Sequence, residues 1–486
     1  MSTGWQRFYK PGLLFAAAGL LLTAGFFQRS LNVQRADPAL GLTQTAPLEN
    51  APPMLAFTTM ALGSFRGLIA NALWVRAQDL QLEEKFFEMV QLSDWITKLQ
   101  PRIGKVWVHQ AWNMSYNISV KFSDPADRWR WLQRGIELLR DEGLKYNPGD
   151  PEIYQELSWQ FQHKLGQNLD DAHIFYKTQW AHQMQELLGP GRPDFDGLIA
   201  PKTDEQRQKA QILRDKFKLD PAFMKQVDAE YGPLEWRLPE AHAIYWAEQG
   251  RKNARTTNPL ALRRPVYQSQ LQSVFRGRIL LERPDGSYVF GPDLNKIPAA
   301  FEAYEKMLAE EKDKPDAVKR AQRNFLREAV NLLYTHNRMR EAAQWFKVLR
   351  ERYPDSVPAG EDLDTFVLRR ITDNLPQLTQ NQARTMIEGL LTRYLYALSL
   401  GEDDNAAGLL KMVQGIYRYY NEKIGNQQNR IGLPPISEMN RLIMNEMMNP
   451  TNRILVPEQM ARLRTVFPAG TAPTTNTPPA NSASPK

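Results

Sequence analysis

The chain has 486 residues, of which 42% are apolar and 24% are charged, a balance typical of a folded protein with a large buried core. It contains no cysteine, which excludes a disulfide framework, a thiolate metal site and a cysteine nucleophile. The formal net charge of +7 is modest for this length, so the distribution of charge is more informative than its total.

An apolar segment lies near the amino terminus. Gly12 to Phe27 carries no charge and only Thr23 as a polar residue. As a helix it spans about 24 Å, and apolar residues from Trp5 onward bring it toward the roughly 30 Å of a hydrocarbon core. We therefore predict a transmembrane anchor over residues 11–28 behind a cytoplasmic stub of residues 1–10. A cleaved signal peptide is the alternative, because small residues stand near the end of the run at Ala24 and Gly25. Basic residues are balanced on the two sides, and the free amino terminus favours an inside orientation.

Residues 29–53 are predicted to be a linker, with four prolines between Ala36 and Pro53. A second apolar stretch, Met54 to Trp74, contains Arg66 near its middle. A charge at the centre of a membrane helix costs about 2.5–3.5 kcal/mol. This stretch is therefore predicted to be the first buried helix of the folded part.

From residue 54 to residue 190 the apolar residues follow a helical period, and proline positions mark repeated units. Pro101 is followed six residues later by Trp107, and Pro148 six residues later by Tyr154. In both units the aromatic residue is followed four positions later by a small residue and seven positions later by a large one. These are Ala111 and Met114 after Trp107, and Ser158 and Phe161 after Tyr154. These positions resemble the fourth, eighth and eleventh of the tetratricopeptide repeat, which implies a stack of helical hairpins. Pro101 and Pro148 are 47 residues apart, and Pro190 follows 42 residues later, instead of the 34 of the repeat, so longer helices or inserted turns are expected.

Residues 301–466 are predicted to return to the same architecture. Asn324 to Pro354 places Ala342 and Phe346 at repeat spacing, and Met386 to Lys423 reads as a further hairpin. Residues 191–300 are predicted to be an irregular helical insert with one β-hairpin, Arg278 to Phe290, around a Pro-Asp-Gly turn. Residues 467–486 have the composition of a disordered tail.

The predicted fold class is therefore all-α: an irregular α-solenoid, similar to tetratricopeptide-repeat proteins, with a small β-hairpin insert and one amino-terminal transmembrane helix. The segments VQLSDWITKLQPR, AWNMSYNISV and YGPLEWRLPEAHAIYWA resemble those of a group of membrane-anchored bacterial repeat proteins. That resemblance implies an architecture and not an activity.

No motif in the sequence points to catalysis. The six histidines have no metal-ligand spacing, and Glu240 and His242 lie two apart on a helix, pointing in different directions. Phosphate-binding glycine loops and nucleophile elbows are missing from the sequence. We predict no catalytic residues, no metal site and no cofactor.

Two groups of residues are candidates for binding a partner. The stretch from Arg251 to Leu281 contains seven basic residues and no acidic one: Arg251, Lys252, Arg255, Arg263, Arg264, Arg276 and Arg278. They either form a patch for an acidic protein, lipid or polymer, or pair with carboxylates elsewhere in the fold. Trp129 and Trp131 are two apart on a helix, so one of them is expected to be exposed.

The expected function is that of a membrane-anchored helical-repeat scaffold that binds other proteins in the bacterial envelope. The folded part is expected outside the cytoplasm, on the inner membrane. The alternative is an envelope enzyme, or a binder of glycans or anionic polymers, that uses the basic region. Nucleic acid is not expected as a partner, because the predicted anchor places the domain in the envelope.

Overall fold

The computed structural model describes residues 5–36, 66–167, 169–254, 260–282, 286–310, 315–371, 380–425, 432–452 and 454–468. Over these residues the chain is mostly helical, with one two-stranded antiparallel sheet. Two units are distinguished: Met1–Glu84 with Gln91–Gln100, and Lys85–Val90 with Pro101–Lys486.

The first unit contains helix α1 (Trp5–Ala36), helix α2 (Arg66–Leu82) and the greater part of helix α3 (Phe86–Leu99). Helix α1 continues to Ala36, eight residues past the predicted end of the anchor at residue 28. Its described side chains, those of residues 16–34, are all exposed. The side chains of residues 11–15 of the predicted span lie outside the described ones. Among the described residues, no helix combines the length and the apolar content needed to cross a membrane.

Helix α2 contains the last part of the second apolar stretch, residues 66–74, and continues to Leu82. Ala70, Ala77 and Leu80 on this helix are buried, as their spacing predicts for a helix packed on one side. Arg66 is the first described residue of this helix. Residues 54–65 of the stretch lie outside the described part of the chain, as do residues 37–53 of the linker and residues 469–486 of the tail.

The first half of the second unit consists of helices that follow one another along the chain. They are α4 (Gly104–Trp112), α5 (Pro125–Glu137), α6 (Leu144–Tyr146), α7 (Pro151–Trp159), α8 (His173–Leu188), α9 (Phe195–Ile199), α10 (Asp204–Asp215), α11 (Pro221–Tyr231), α12 (Pro239–Asn253) and α13 (Leu260–Arg276). Three of these helices pass directly into a wide, π-helical turn: α4 at Asn113–Ile118, α5 at Leu138–Gly143 and α7 at Gln160–Leu165.

The repeated proline-to-aromatic spacing has a common structural cause. The indole Nε1 of Trp107 donates a hydrogen bond to the Pro101 carbonyl over 2.8 Å, and the Tyr154 hydroxyl donates to the Pro148 carbonyl over 3.0 Å. Each aromatic side chain is buried and folds back over the turn that precedes its helix. The remaining repeat positions, Ala111, Met114, Ser158 and Phe161, are buried as well.

Residues of the predicted insert share one hydrophobic core with the hairpins that precede them. Phe195, Leu213 and Trp236 belong to the same buried cluster as Trp107. Helix α12 packs along α7, where the Ser158 hydroxyl donates to the Ala243 carbonyl over 2.7 Å. The domain boundaries at residues 191 and 300 stay predictions.

The second half of this unit is a further set of helices around its own core. They are α14 (Ile297–Glu310), α15 (Pro315–Thr335), α16 (Met339–Arg352), α17 (Leu363–Ile371), α18 (Gln380–Leu400), α19 (Asp403–Ile424), α20 (Ile436–Met447) and α21 (Pro457–Val466). Helices α15 with α16, and α18 with α19, are the two hairpins that the periodicity predicted. Ala342 and Phe346 are buried in this second core, as predicted.

The predicted β-hairpin is confirmed. Strand β1 (Arg278–Glu282) pairs antiparallel with β2 (Tyr288–Gly291), and the register shifts between Ile279 and Leu281. Because an isolated hairpin is marginally stable, it needs support from a helix. Helix α8 provides that support: His182 Nε2 donates to the Gly286 carbonyl over 2.6 Å, and the Tyr288 N–H donates to the Thr178 hydroxyl over 3.4 Å.

Candidate functional site

Helices α4 and α7 lie side by side because their starting turns fit together. Asp150 caps α7: its carboxylate accepts the Glu152 N–H over 2.8 Å, and Pro151 occupies the first turn. A Cβ atom on Gly104, the first residue of α4, would overlap the Asp150 carboxylate. The glycine therefore permits the close approach of these two helix starts.

The wide turns that follow α4 and α7 meet through side-chain hydrogen bonds. In the second turn the Gly166 N–H donates to the Phe161 carbonyl, five residues back, over 2.9 Å. The Ser115 hydroxyl donates to Gln160 Oε1 over 2.8 Å, and both side chains are buried. Wide turns of this kind are frequent at functional sites, because they direct side chains away from the regular helical positions.

Four rings form a continuous row at this junction, which we call the aromatic face: Trp112, Tyr116, Trp159 and His163. Trp112 stacks on Tyr116 with ring centroids 5.8 Å apart, and Trp159 stacks on His163 at 4.3 Å. The Tyr116 and His163 rings, 5.8 Å apart, join the two pairs. Trp112 is 38% exposed and the other three rings are half-buried. A row of partly exposed aromatic rings is a feature of binding surfaces.

Burial keeps the polar atoms of the aromatic face neutral. Burial and the negative charge of Glu156 raise the pKa of the Tyr116 hydroxyl, so the hydroxyl stays protonated. Burial and the charge of Lys164 lower the pKa of His163. The Tyr116 hydroxyl and His163 Nδ1 are 3.0 Å apart, at hydrogen-bond distance. With a protonated hydroxyl and a neutral imidazole, this pair is suited to holding the rings in place.

Glu156 lies on α7 one turn before Trp159. Its carboxylate accepts a hydrogen bond from Gln160 Nε2 over 3.2 Å. Burial raises the pKa of this carboxyl group from 4.5 to about 7, and the hydrogen bond from Gln160 offsets part of that rise. In the part of the chain that the structure describes, no lysine, arginine or histidine forms an ion pair with Glu156.

A buried carboxylate supports the aromatic face from below. Asp170 accepts hydrogen bonds from Lys164 Nζ at 2.6 Å, from Arg128 Nη1 at 3.0 Å and from the Ala172 N–H at 2.9 Å. Burial alone would raise the pKa of Asp170, but the hydrogen bonds from Lys164 and the Ala172 N–H, with the charge of Lys164, outweigh it and lower the pKa to about 2. Lys164 Nζ also lies 5.2 Å from the centre of the Tyr116 ring. The charge of Lys164 is thus held beneath the face and is not available at its surface.

None of the family models, curated proteins or solved structures compared with this chain matches it.

The predicted basic residues are distributed over several elements, and four of them have ion-pair partners. Arg251 pairs with Glu248 at 2.6 Å, Arg276 with Glu240 at 3.3 Å and Arg278 with Glu402 at 3.4 Å, while Arg263 contacts Glu310. Lys252 lies over the Phe223 ring, Arg264 is exposed on α13, and Arg255 lies outside the described residues. The sequence left two interpretations open, a patch for an acidic partner or ion pairs within the fold. For these four arginines the structure shows ion pairs within the fold.

The two tryptophans of the predicted pair differ in burial. Trp129 is buried against Tyr176, and Trp131 is half-buried against Phe87 and Phe122. Trp131 is therefore the partly exposed member of the pair, although two rings cover part of it. Trp112, at 38% exposed, is open to solvent to a greater extent.

Three further observations bear on reaction chemistry. A surface cleft of about 360 Å³ lies between α8 and α10. It is lined by Gln183, Glu186, Leu187, Gln211, Ile212, Asp215, Lys216 and Phe217, which include no histidine, serine or tyrosine. The described residues contain no group of three histidine or carboxylate side chains placed to hold a metal ion. Lys177 is buried near the Arg276–Glu240 ion pair, and burial lowers the pKa of its amino group to about 8.

Proposed function

We propose that this protein is a membrane-anchored helical-repeat protein that binds another protein through the aromatic face. The observation that carries the proposal is the continuous row of four partly exposed rings across two neighbouring helices. Tryptophan and tyrosine are enriched at the centres of protein interfaces because they bury a large area at little cost in conformational entropy.

The repeat architecture supports this choice of surface. Successive helical hairpins with equivalent helix starts, at Pro101 and Pro148, resemble tetratricopeptide repeats, which bind peptides and helices along a surface made by neighbouring helices. The aromatic face lies on such a pair of neighbouring helices, α4 and α7. The interpretation as a tetratricopeptide-like solenoid is part of this proposal.

The membrane anchor rests on the sequence alone, because Gly12 to Phe27 carries no charge and has Thr23 as its one polar residue. We place the anchor in the bacterial inner membrane with the folded part outside the cytoplasm.

The test is site-specific photocrosslinking in cells. A photoreactive amino acid replaces Trp112, and a matched variant carries it at Leu442, an exposed residue of α20. We expect a crosslinked protein of defined mass from position 112 that is not obtained from position 442. The same crosslink should weaken when Trp159→Ala removes a neighbouring ring. Equal crosslinking at both positions would refute a specific interface at the face.

Purification from detergent-solubilised membranes distinguishes the classes of partner. A stoichiometric protein that depends on Trp112 supports the scaffold. A glycan or anionic polymer retained without protein would instead support the alternative function. Amino-terminal sequencing of the membrane-bound chain tests the anchor, because a mature start near Phe26 would show that the segment is a signal peptide.

A further inference from the structure

Glu156 is a carboxylate placed where a charge is disfavoured. It is half-buried beside the rings of the aromatic face and receives one hydrogen bond, from the neutral amide of Gln160. Buried carboxylates in folded proteins are normally paired or neutralised by several donors, as Asp170 is in this chain. The contrast between the two carboxylates sets Glu156 apart.

Two lysines of this pair of helices form ion pairs with other carboxylates. Lys164, in the wide turn after α7, donates to Asp170 over 2.6 Å. Lys105 on α4 lies 3.8 Å from Glu152, which is one turn before Glu156 on α7. Tyr116, whose pKa is raised by burial and by the charge of Glu156, is held neutral.

Aromatic rings lie next to this unpaired charge. Trp159 follows Glu156 by three residues on α7, so the two side chains lie on the same side of the helix. Tyr116 is close enough for the charge of Glu156 to raise its pKa. A carboxylate flanked by electron-rich rings is the arrangement that receives a lysine ammonium or an arginine guanidinium, because the cation gains both an ion pair and a cation–π contact.

We propose that Glu156, together with Tyr116 and Trp159, binds a lysine or arginine side chain presented by the protein partner. This inference rests on the proposed function and names the chemical group that the aromatic face recognises. A planar guanidinium suits the site well, because it stacks on a ring and donates to a carboxylate at the same time.

The experiment uses the full chain in neutral detergent, labelled with 5-fluorotryptophan and observed by fluorine NMR. The signals of Trp112 and Trp159 are assigned from Trp→Phe variants. The probes are the peptide acetyl-Gly-Arg-Gly-amide and the same peptide with citrulline, which keeps the shape of arginine but has no charge. The variants are Glu156→Gln and, as the matched control one turn earlier on the same helix, Glu152→Gln.

We expect the arginine peptide to shift both tryptophan signals in a saturable manner, with a dissociation constant in the millimolar range. The citrulline peptide should bind about tenfold more weakly, and Glu156→Gln should weaken arginine binding by about tenfold. Glu152→Gln should bind within about twofold of the unchanged protein, because its side chain is 47% exposed and is paired with Lys105.

Each remaining outcome overturns the inference. Equal binding of the arginine and citrulline peptides would show that charge is not recognised. Unchanged binding to Glu156→Gln, or an equal loss in Glu152→Gln, would show that Glu156 is not the receiving group. Absence of any shift at about 20 mM peptide would exclude the site. If the crosslink at position 112 persists in those cases, the proposed protein interface stands and only its cationic ligand is rejected.

Discussion

Replacing Glu156 with glutamine should stabilise the protein at high pH. In the folded chain burial raises the pKa of this carboxyl group from 4.5 to about 7. Protonation of Glu156 therefore contributes to the free energy of unfolding, fully at pH values below 4.5. This contribution to stability is lost as the pH rises through about 7. The difference in pKa corresponds to about 3 kcal/mol, and partial contact with solvent reduces the expected effect to about 2 kcal/mol. Glutamine keeps the shape and can still accept the hydrogen bond from Gln160.

Urea unfolding of the full chain, followed by tryptophan fluorescence at pH 8 and pH 5, measures this effect. We expect Glu156→Gln to raise the free energy of unfolding by about 2 kcal/mol at pH 8 and by much less at pH 5. Glu152→Gln, on the exposed part of the same helix, should stay within about 0.5 kcal/mol of the unchanged protein at both pH values. A destabilised Glu156→Gln at pH 8, or an equal change at both pH values, would refute the reasoning.

Three further changes test how the site is held. Asp170→Asn should lower the free energy of unfolding at pH 7 by about 3 kcal/mol, because it leaves Lys164 buried without a counter-charge. This loss of stability should stay constant down to about pH 4 and become smaller at lower pH, because the folded-state pKa of Asp170 is about 2. Gly135→Ala should destabilise by about 1–2 kcal/mol in urea unfolding, since the new methyl group would lie 2.4 Å from the Ser115 hydroxyl. His182→Ala should accelerate hydrogen exchange of the β1–β2 amides about tenfold, because it removes the hydrogen bond to the hairpin turn.

Matched variants serve as controls for the first two of these changes. Asp171→Asn alters a neighbouring carboxylate that is 83% exposed and should change stability by less than about 0.5 kcal/mol. Gly389→Ala lies on α18 with no atom within 4 Å of the added methyl group, so it should stabilise by about 0.5–1 kcal/mol. If Asp171→Asn costs as much as Asp170→Asn, the buried pairing of Asp170 is not the cause. If both glycine variants behave alike, close packing at Gly135 is not the cause.

Local elements of this fold were predictable because their causes are local. Asp150 with Pro151 marks the start of a helix through a cap and a fixed backbone angle, and the structure begins α7 there. The Pro-Asp-Gly segment between two short apolar runs predicted the hairpin for the same reason. Helical periodicity placed Ala342 and Phe346 in the second core, because residues four apart share a helix face.

The partners of the basic residues could not be predicted from the sequence. Arg276 pairs with Glu240, 36 positions earlier, and Arg278 with Glu402, 124 positions later. Counting charges within one stretch cannot detect such pairs, because they depend on how the helices pack. The same limit applies to Trp131, which is covered by the ring of Phe87 from an earlier helix.

The aromatic face has a signal in the sequence, although it is a weak one. Trp112 and Tyr116 are four apart, as are Trp159 and His163, and each pair therefore lies along one side of its helix. What the sequence does not reveal is that these two sides meet. That contact depends on the wide turns after α4 and α7, for which no residue pattern is diagnostic.

The wide turns also have a consequence for helical phase. A wide turn accommodates one more residue than a regular α-helical turn, so every side chain after it is rotated by about 100° relative to the uninterrupted helix. Helix α7 can therefore keep its repeat-like contacts with the core. The wide turn that follows Trp159 then presents a different set of residues than a continued α-helix would. A one-residue deletion within 160–165 would restore an ordinary helix and rotate Lys164 away from Asp170. In this chain the number of residues in a helical turn, counted one by one, decides which side chains lie at the aromatic face and which lie against the core.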